Sequence, residues 1–147
     1  MILLAKKDIT LNVDTEKAYS YLTNMENYGD WFPGVSSIAS ANNLAHSAVG
    51  KKYTEHLTLP TGESTLTIEV TRSEQNTAFY TEGDLHPLYP AMAMTFKRLN
   101  KNDTQFTIEY FSRSQEATLN QGMLSSLQND LSERLDIAET NLQRIFA

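Results

Sequence analysis

Cysteine is absent from this chain of 147 residues. Disulfides, thiolate nucleophiles and thiolate metal sites are therefore excluded outright. Long apolar runs are missing as well: none approaches the roughly 18 residues that a spanning helix needs, so no integral membrane association is expected. The opening Met1-Ile2-Leu3-Leu4-Ala5 is too short for a signal-peptide core, and its lysines follow the apolar run instead of preceding it. The expectation is a cytoplasmic protein without an export signal. Basic clusters stop at pairs (Lys6-Lys7, Lys51-Lys52, Lys97-Arg98), and the formal net charge is −6. Neutralising phosphates requires a concentrated basic face, so neither nucleic acid nor an anionic membrane is an expected partner. No nucleophile elbow of the form G-x-S-x-G occurs, and no glycine-rich phosphate loop. His46, His56 and His86 lack a second ligand at a useful spacing, so no metal and no cofactor are expected.

What the chain does contain suits one folded domain spanning residues 1–147. Apolar residues make up 40% and charged residues 20%, which favours a packed core over disorder. Asp8 to Val13 alternates polar and apolar residues, the period of a half-buried strand. Asp14 or Thr15 can cap a helix running to Asn24, with Ala18, Tyr21, Leu22 and Met25 on one face. Thr23-Asn24-Met25-Glu26 has capping-box spacing for a second short helix, ended by Trp31-Phe32-Pro33-Gly34. The middle reads as strands: Val35 to Ala39, Lys52 to Leu59, Thr65 to Thr71, Ala78 to Glu82, Met92 to Leu99 and Thr104 to Phe111. Asn42-Asn43, Pro60-Thr61-Gly62-Glu63, the loop from Gly83 to Pro90 and Asn100 to Asp103 lie between them.

The period then changes. Leu124, Leu127, Leu131, Leu135, Ala138, Leu142 and Ile145 recur every three or four residues, after a capping-box start at Thr118-Leu119-Asn120-Gln121. A helix of roughly 40 Å with one apolar stripe needs a broad partner surface, and the sheet is the one available. The fold class predicted is α+β: a helix grip, in which a curved antiparallel sheet of about seven strands (β-α-α-β6-α order) wraps a long C-terminal helix.

The order of elements, the segment from Val13-Asp14-Thr15-Glu16-Lys17-Ala18 to Leu22, and Asn27-Tyr28-Gly29-Asp30-Trp31-Phe32-Pro33-Gly34-Val35 resemble the START-like (SRPBCC) superfamily. Its bacterial polyketide cyclase/dehydrase-like and lipid-transport-like members look most similar. Gly50-Lys51-Lys52-Tyr53 and Asp103-Thr104, each opening a strand, fit the same pattern. The resemblance implies a cavity between the concave sheet and the long helix. Its mouth would be rimmed by Pro60 to Glu63, Asp84 to Pro90, and Ser112 to Thr118, which places Leu85 at the rim.

Within that frame the candidate ligand-contacting residues are weighed one at a time. Trp31 either packs the short helices onto the sheet or touches ligand, and Phe32 carries the same ambiguity. Met92, Met94 and Phe96 share one strand face, with Met123 and Leu127 on the helix opposite. Methionine adapts to irregular shapes, so this group suits a plastic pocket, but alternation alone predicts core. Phe79 points inward on its strand, leaving Tyr80 and Glu82 outward. Ile108 and Tyr110 face the core together with Phe106, and the Tyr110 hydroxyl seeks a partner. His86 and Tyr89 stand in the Pro-flanked mouth loop, where a histidine either gates ligand or is simply solvated.

Glu55 is the sharpest case. If Tyr53, Leu57 and Leu59 point inward, the pleat turns Glu55 inward too. A buried carboxylate is expensive unless it is paired or becomes neutral. Such a group orients a polar ligand end or moves protons. The alternatives are a face swap that turns Lys52, Thr54, His56 and Thr58 inward, or an ion pair with Arg72 or Arg98 at the rim.

Three functions remain in view. The first is binding or transport of a small hydrophobic or amphipathic molecule of the lipid, polyketide or isoprenoid class. The second is a cyclase or dehydratase using Glu55, Tyr110 or His86 for proton transfer. The third is a cochaperone-like interaction module. The ligand's identity and the oligomeric state are not legible in the sequence.

Overall fold

In the computed structural model, which describes residues 1–59, 62–115 and 119–147, the elements follow the predicted order. They are β1 (Ile2–Leu11), α1 (Thr15–Leu22), a 3-10 turn at Met25–Asn27, α2 (Tyr28–Trp31), β2 (Val35–Ser40), β3 (Lys52–Leu59), β4 (Gly62–Glu74), β5 (Ala78–Asp84), β6 (Pro90–Asn100), β7 (Asp103–Ser112) and α3 (Gln121–Ile145). The strands form one antiparallel sheet in the order β1-β7-β6-β5-β4-β3-β2. Register shifts at Leu3/Ala5, Val35/Ser37, Val70/Arg72 and Arg98/Asn100 bend it, as an extra residue on one strand does. This is the α+β helix grip.

Boundaries move where local chemistry competes with pattern. β1 begins at Ile2, well before Asp8, because the irregularity after Leu3 buries both Leu4 and Ala5 and breaks the alternation there. α1 is capped by Asp14, whose carboxylate accepts from the Lys17 amide at 2.9 Å, and it stops at Leu22. Tyr19, not Tyr21, is its buried tyrosine, with its ring edge-on to Phe96 at 5.2 Å. Thr23 does not cap the next turn. Its hydroxyl donates back to the Tyr19 carbonyl at 2.7 Å, and Asn24 caps instead, accepting from the Glu26 amide at 3.0 Å. Asn120 caps α3 by accepting from the Met123 amide at 2.7 Å. The expected turn residues Pro60 and Thr61, and the expected cap Thr118, lie outside the described residues.

At about 1.5 Å per residue α3 is about 37 Å long. Leu127, Leu135, Ala138 and Leu142 are buried, while Ile145 at its end is exposed. The helix runs alongside β1 in the same direction: the Gln128 side-chain amide donates to the Leu3 carbonyl at 3.2 Å, and Lys7 reaches Asp136 at 2.6 Å and Glu139 at 3.4 Å. Further on, the Asn141 amide donates to the Trp31 carbonyl at 3.1 Å, tying α3 to α2. The contacts of Asp136, Glu139 and Asn141 hold the C-terminal half down, and Gln128 ties the N-terminal half to the start of β1. The N-terminal half lies over the concave face of the sheet, where the two surfaces leave a gap. Among the described residues no helix is long and apolar enough to cross a membrane.

Candidate functional site

The gap is a cavity of about 80 Å³. Leu57, Leu66, Ile68 and Met92 line it from the strands, Leu127 and Leu131 from α3, and Tyr28 and Phe32 from the short-helix region. By comparison, an apolar cavity of about 150 Å³ holds benzene, and about 10–15 Å³ suffices for one water. The cavity is therefore smaller than one that holds benzene, with room for a few waters.

Glu55 enters it from the middle of β3. The strand turns Tyr53, Glu55, Leu57 and Leu59 inward, so no face swap occurs. Glu55 is only 4% exposed and faces the cavity. It makes no hydrogen bond and no ion pair among the described residues. The rim partners considered for it are engaged elsewhere: Arg72 with Glu74 at 2.9 Å, Arg98 with Glu16 at 3.4 Å. Burial pushes the Glu55 carboxyl up to about 7, opposed by the positive charge of Arg134.

Arg134 is the second charged group on the cavity wall, and each of its guanidinium nitrogens has a contact. Nη1 donates to the Pro33 carbonyl at 3.2 Å and Nη2 to the Thr58 carbonyl at 2.5 Å, while Nε meets the Asp130 carboxylate at 2.8 Å. It thereby clasps α3 to the turn before β2 and to the end of β3. Gly34 makes room for the clasp. It has φ +91°, and a Cβ there would sit 1.8 Å from Arg134 Nη1.

Tyr110 reaches the cavity from β7, and its hydroxyl has found a partner in the Tyr28 hydroxyl at 2.5 Å. Burial holds both phenols well above their ordinary ionisation range; the neighbouring Tyr110 adds to the rise at Tyr28, while the hydrogen bond to Tyr28 partly opposes it at Tyr110. Neither hydroxyl hydrogen-bonds Glu55. Thr81 of β5 adds one neutral hydroxyl to the lining.

No family model matches the sequence, and none of the curated proteins matches it. Solved structures do. A START superfamily protein from Mycobacterium smegmatis superposes with a TM-score of 0.77 at 13% identity, over 97% of this chain and 99% of that one. The Zhui aromatase/cyclase from Streptomyces sp. R1128 gives 0.68 at 14% identity, over 97% and 95%. The di-domain aromatase/cyclase BexL from the BE-7585A biosynthetic pathway gives 0.73 at 10% identity, and the chain spans 45% of that longer protein. The chain has a START-like fold. The resemblance carried by the Tyr28-to-Val35 segment thus agrees with the fold.

The START-like cavity gathers some of the candidate residues and leaves others in solid core. Phe32, Glu55, Leu57, Leu85, Met92, Tyr110 and Leu127 line it. Trp31 does not: it is 1% exposed and wedged against Tyr28, Phe32 and Phe106 at ring distances of 5.1, 6.0 and 6.2 Å. Tyr53 faces inward at the other end of β3, where its hydroxyl meets His46 Nδ1 at 2.7 Å and the Lys51 ammonium lies 5.4 Å from its ring. Phe79, Met94 and Ile108 are cross-strand neighbours in packed core, and Phe96 packs on Phe106 at 5.3 Å. Of the methionine stripe only Met92 reaches the cavity; Met94 is fully buried beside Phe79 and Ile108, and Phe96 lies against Tyr19 of α1. Met123 is half-buried in the first turn of α3, outside the lining. His86 is exposed and Tyr89 half-buried, their rings edge-on at 5.7 Å, and neither lines the cavity.

Sequence reasoning passed over Tyr28, Thr81, Leu88 and Arg134 as site residues. Arg134 carried a usable signal: it stands three residues after Leu131 and seven after Leu127, so it continues the inward stripe as a charge. Among the described residues no group of three His, Cys, Asp or Glu side chains converges as a metal site.

Proposed function

We propose that the protein binds a small hydrophobic or amphipathic molecule, of the lipid, polyketide or isoprenoid class, between the sheet and α3. The observation that carries this reading is a carboxyl that has no partner among the described residues and stands in a largely apolar cavity. A leucine at position 55 would pack there at no electrostatic cost, whereas a buried, unpaired glutamate costs free energy in the empty protein. Such a local penalty is the mark of a group kept for a ligand. Binding a molecule of this class requires the cavity to widen. Native mass spectrometry and thermal shift against fatty acids, aromatic polyketides and isoprenoid alcohols test the reading. A bound ligand should raise the melting temperature, and Leu131→Trp, which fills the cavity, should abolish the effect. Failure of every class to bind would refute it.

A cyclase or dehydratase is the second reading, favoured by one observation: the Glu55 carboxyl, at about 7, is able both to give and to take a proton near neutral pH. Tyr110 is a poorer candidate because its hydroxyl is already engaged with Tyr28, and His86 lies away from the cavity. Under this reading Glu55→Gln eliminates turnover of a linear poly-β-keto substrate while leaving its binding within a few-fold. Equal turnover by the variant would exclude Glu55 as the proton carrier.

A further inference from the structure

The polar groups around the cavity can be counted by element. α3 contributes Arg134, α2 contributes Tyr28 and β7 contributes Tyr110; β4 offers only Leu66 and Ile68, and β5 only Thr81 and Gly83. Arg134 has its charge balanced by Asp130 at 2.8 Å and donates to two backbone carbonyls, so each of its nitrogens is already engaged within the protein. Subtracting that pair leaves one ionisable group without a counter-ion, Glu55. A carboxylate ligand would bring a second negative charge beside it. A neutral ligand could hydrogen-bond it but would leave its charge uncompensated. A cation would complete it.

The walls agree with a cation. Tyr28 and Phe32 stack with ring centroids 5.0 Å apart, and Phe32 lies 5.5 Å from Tyr110, so three aromatic rings stand together on the cavity wall. An ammonium near aromatic faces is attracted by their quadrupoles, most strongly where water is excluded. The rest of the lining is aliphatic and suits a hydrocarbon body.

Resting on the binding reading above, we infer that the ligand is a hydrophobic amine, its ammonium paired with Glu55 beside the Tyr28–Phe32–Tyr110 rings and its hydrocarbon tail among Leu57, Ile68 and Met92. Binding is then linked to Glu55 ionisation. With the empty-state carboxyl at about 7, amine affinity rises with pH up to about 8, and falls roughly a hundredfold between pH 8 and pH 5 as Glu55 becomes protonated. A ligand held through a carbonyl would show the opposite slope, since it needs the proton on Glu55.

The test uses three probes with the same chain and different heads: n-hexylamine, n-hexanol and hexanoate. Each is titrated by NMR against the methyl signals of Leu57, Ile68 and Met92, with Leu131→Trp as the blocked-cavity control. The expected result is that hexylamine binds at least tenfold more tightly than hexanol at pH 8, that Glu55→Gln removes the preference, and that hexylamine lowers the pKa of Glu55 read from its side-chain carboxyl carbon. That last readout needs no variant. Hexanol or hexanoate binding as well as hexylamine at pH 8 would overturn the amine assignment while leaving the cavity reading standing. Absence of binding by all three would overturn both.

Discussion

Replacing Glu55 by glutamine should change stability in a pH-dependent way whose size follows from its burial. Its carboxyl lies at about 7 in the folded protein against an ordinary value of 4.5. At about 1.36 kcal/mol per pH unit, that rise is worth about 3 kcal/mol. A carboxyl raised on folding contributes stability that is fully present below pH 4.5, where both states are protonated. The contribution is lost as pH rises through 7, because the unfolded chain ionises freely while the folded one must bury the charge. Between pH 5 and pH 8 wild type should therefore lose about 2.5 kcal/mol from this group alone. Glu55→Gln keeps the shape and cannot ionise, so its stability relative to wild type should improve by about 2.5 kcal/mol over that interval. Urea denaturation of both proteins at pH 5, 6, 7 and 8 measures this directly, and for a chain of this size it corresponds to about 5–10 °C in melting temperature. Identical pH profiles for the two proteins would refute the reasoning. They would mean that the carboxyl is solvated or paired in solution.

Two further perturbations probe the frame of the cavity. Tyr110→Phe leaves the Tyr28 hydroxyl buried without its partner, and should cost about 1–3 kcal/mol in urea denaturation. The double variant with Tyr28→Phe should cost less than the sum of the two single changes, and strict additivity would mean the hydroxyl pair is not formed. Gly34→Ala combines a positive φ with a collision against the Arg134 guanidinium, and should cost about 1–3 kcal/mol. In an Arg134→Ala background the same change should cost measurably less, since only the backbone strain remains. An equal cost in both backgrounds would show that Gly34 does not serve the clasp.

Much of the fold was legible because it is written in periods. The alternation of Leu66, Ile68 and Val70 and the three-four spacing of Leu127, Leu131 and Leu135 each specify which face is buried. Capping residues were placed less well, since Thr23 and Asn24 both have the chemistry and only the observed geometry separates them. The site was legible in part for a physical reason: alternation tells which side of a strand faces inward, but not whether that inside is packed or hollow. Met92, Met94 and Phe96 have the same pattern, yet only Met92 meets the gap, because hollowness depends on what covers each strand position, and Phe96 lies against Tyr19 of α1. Glu55 was findable because it violates its strand's pattern. Arg134 also violates its helix's pattern, and was missed because a charge on a helix stripe is readily taken for a solvated position.

Those two violations are not equivalent, and the contrast bears on how the cavity works. Arg134 has an acceptor or counter-ion contact for each nitrogen it brings inward, so its position is explained within the protein: it fastens α3 to Pro33 and Thr58. Glu55 has no hydrogen bond or ion pair among the described residues, although Arg134 is near enough to oppose the rise in its pKa. Had the two been placed only to stabilise the fold, they would pair with each other, which would relieve Glu55 and still anchor the helix. Instead the arginine is spent on backbone carbonyls and Asp130, and the carboxyl is left facing open space. The arrangement keeps the cavity closed at one edge and chemically incomplete at its centre, which is the state expected of a site whose missing partner arrives from outside.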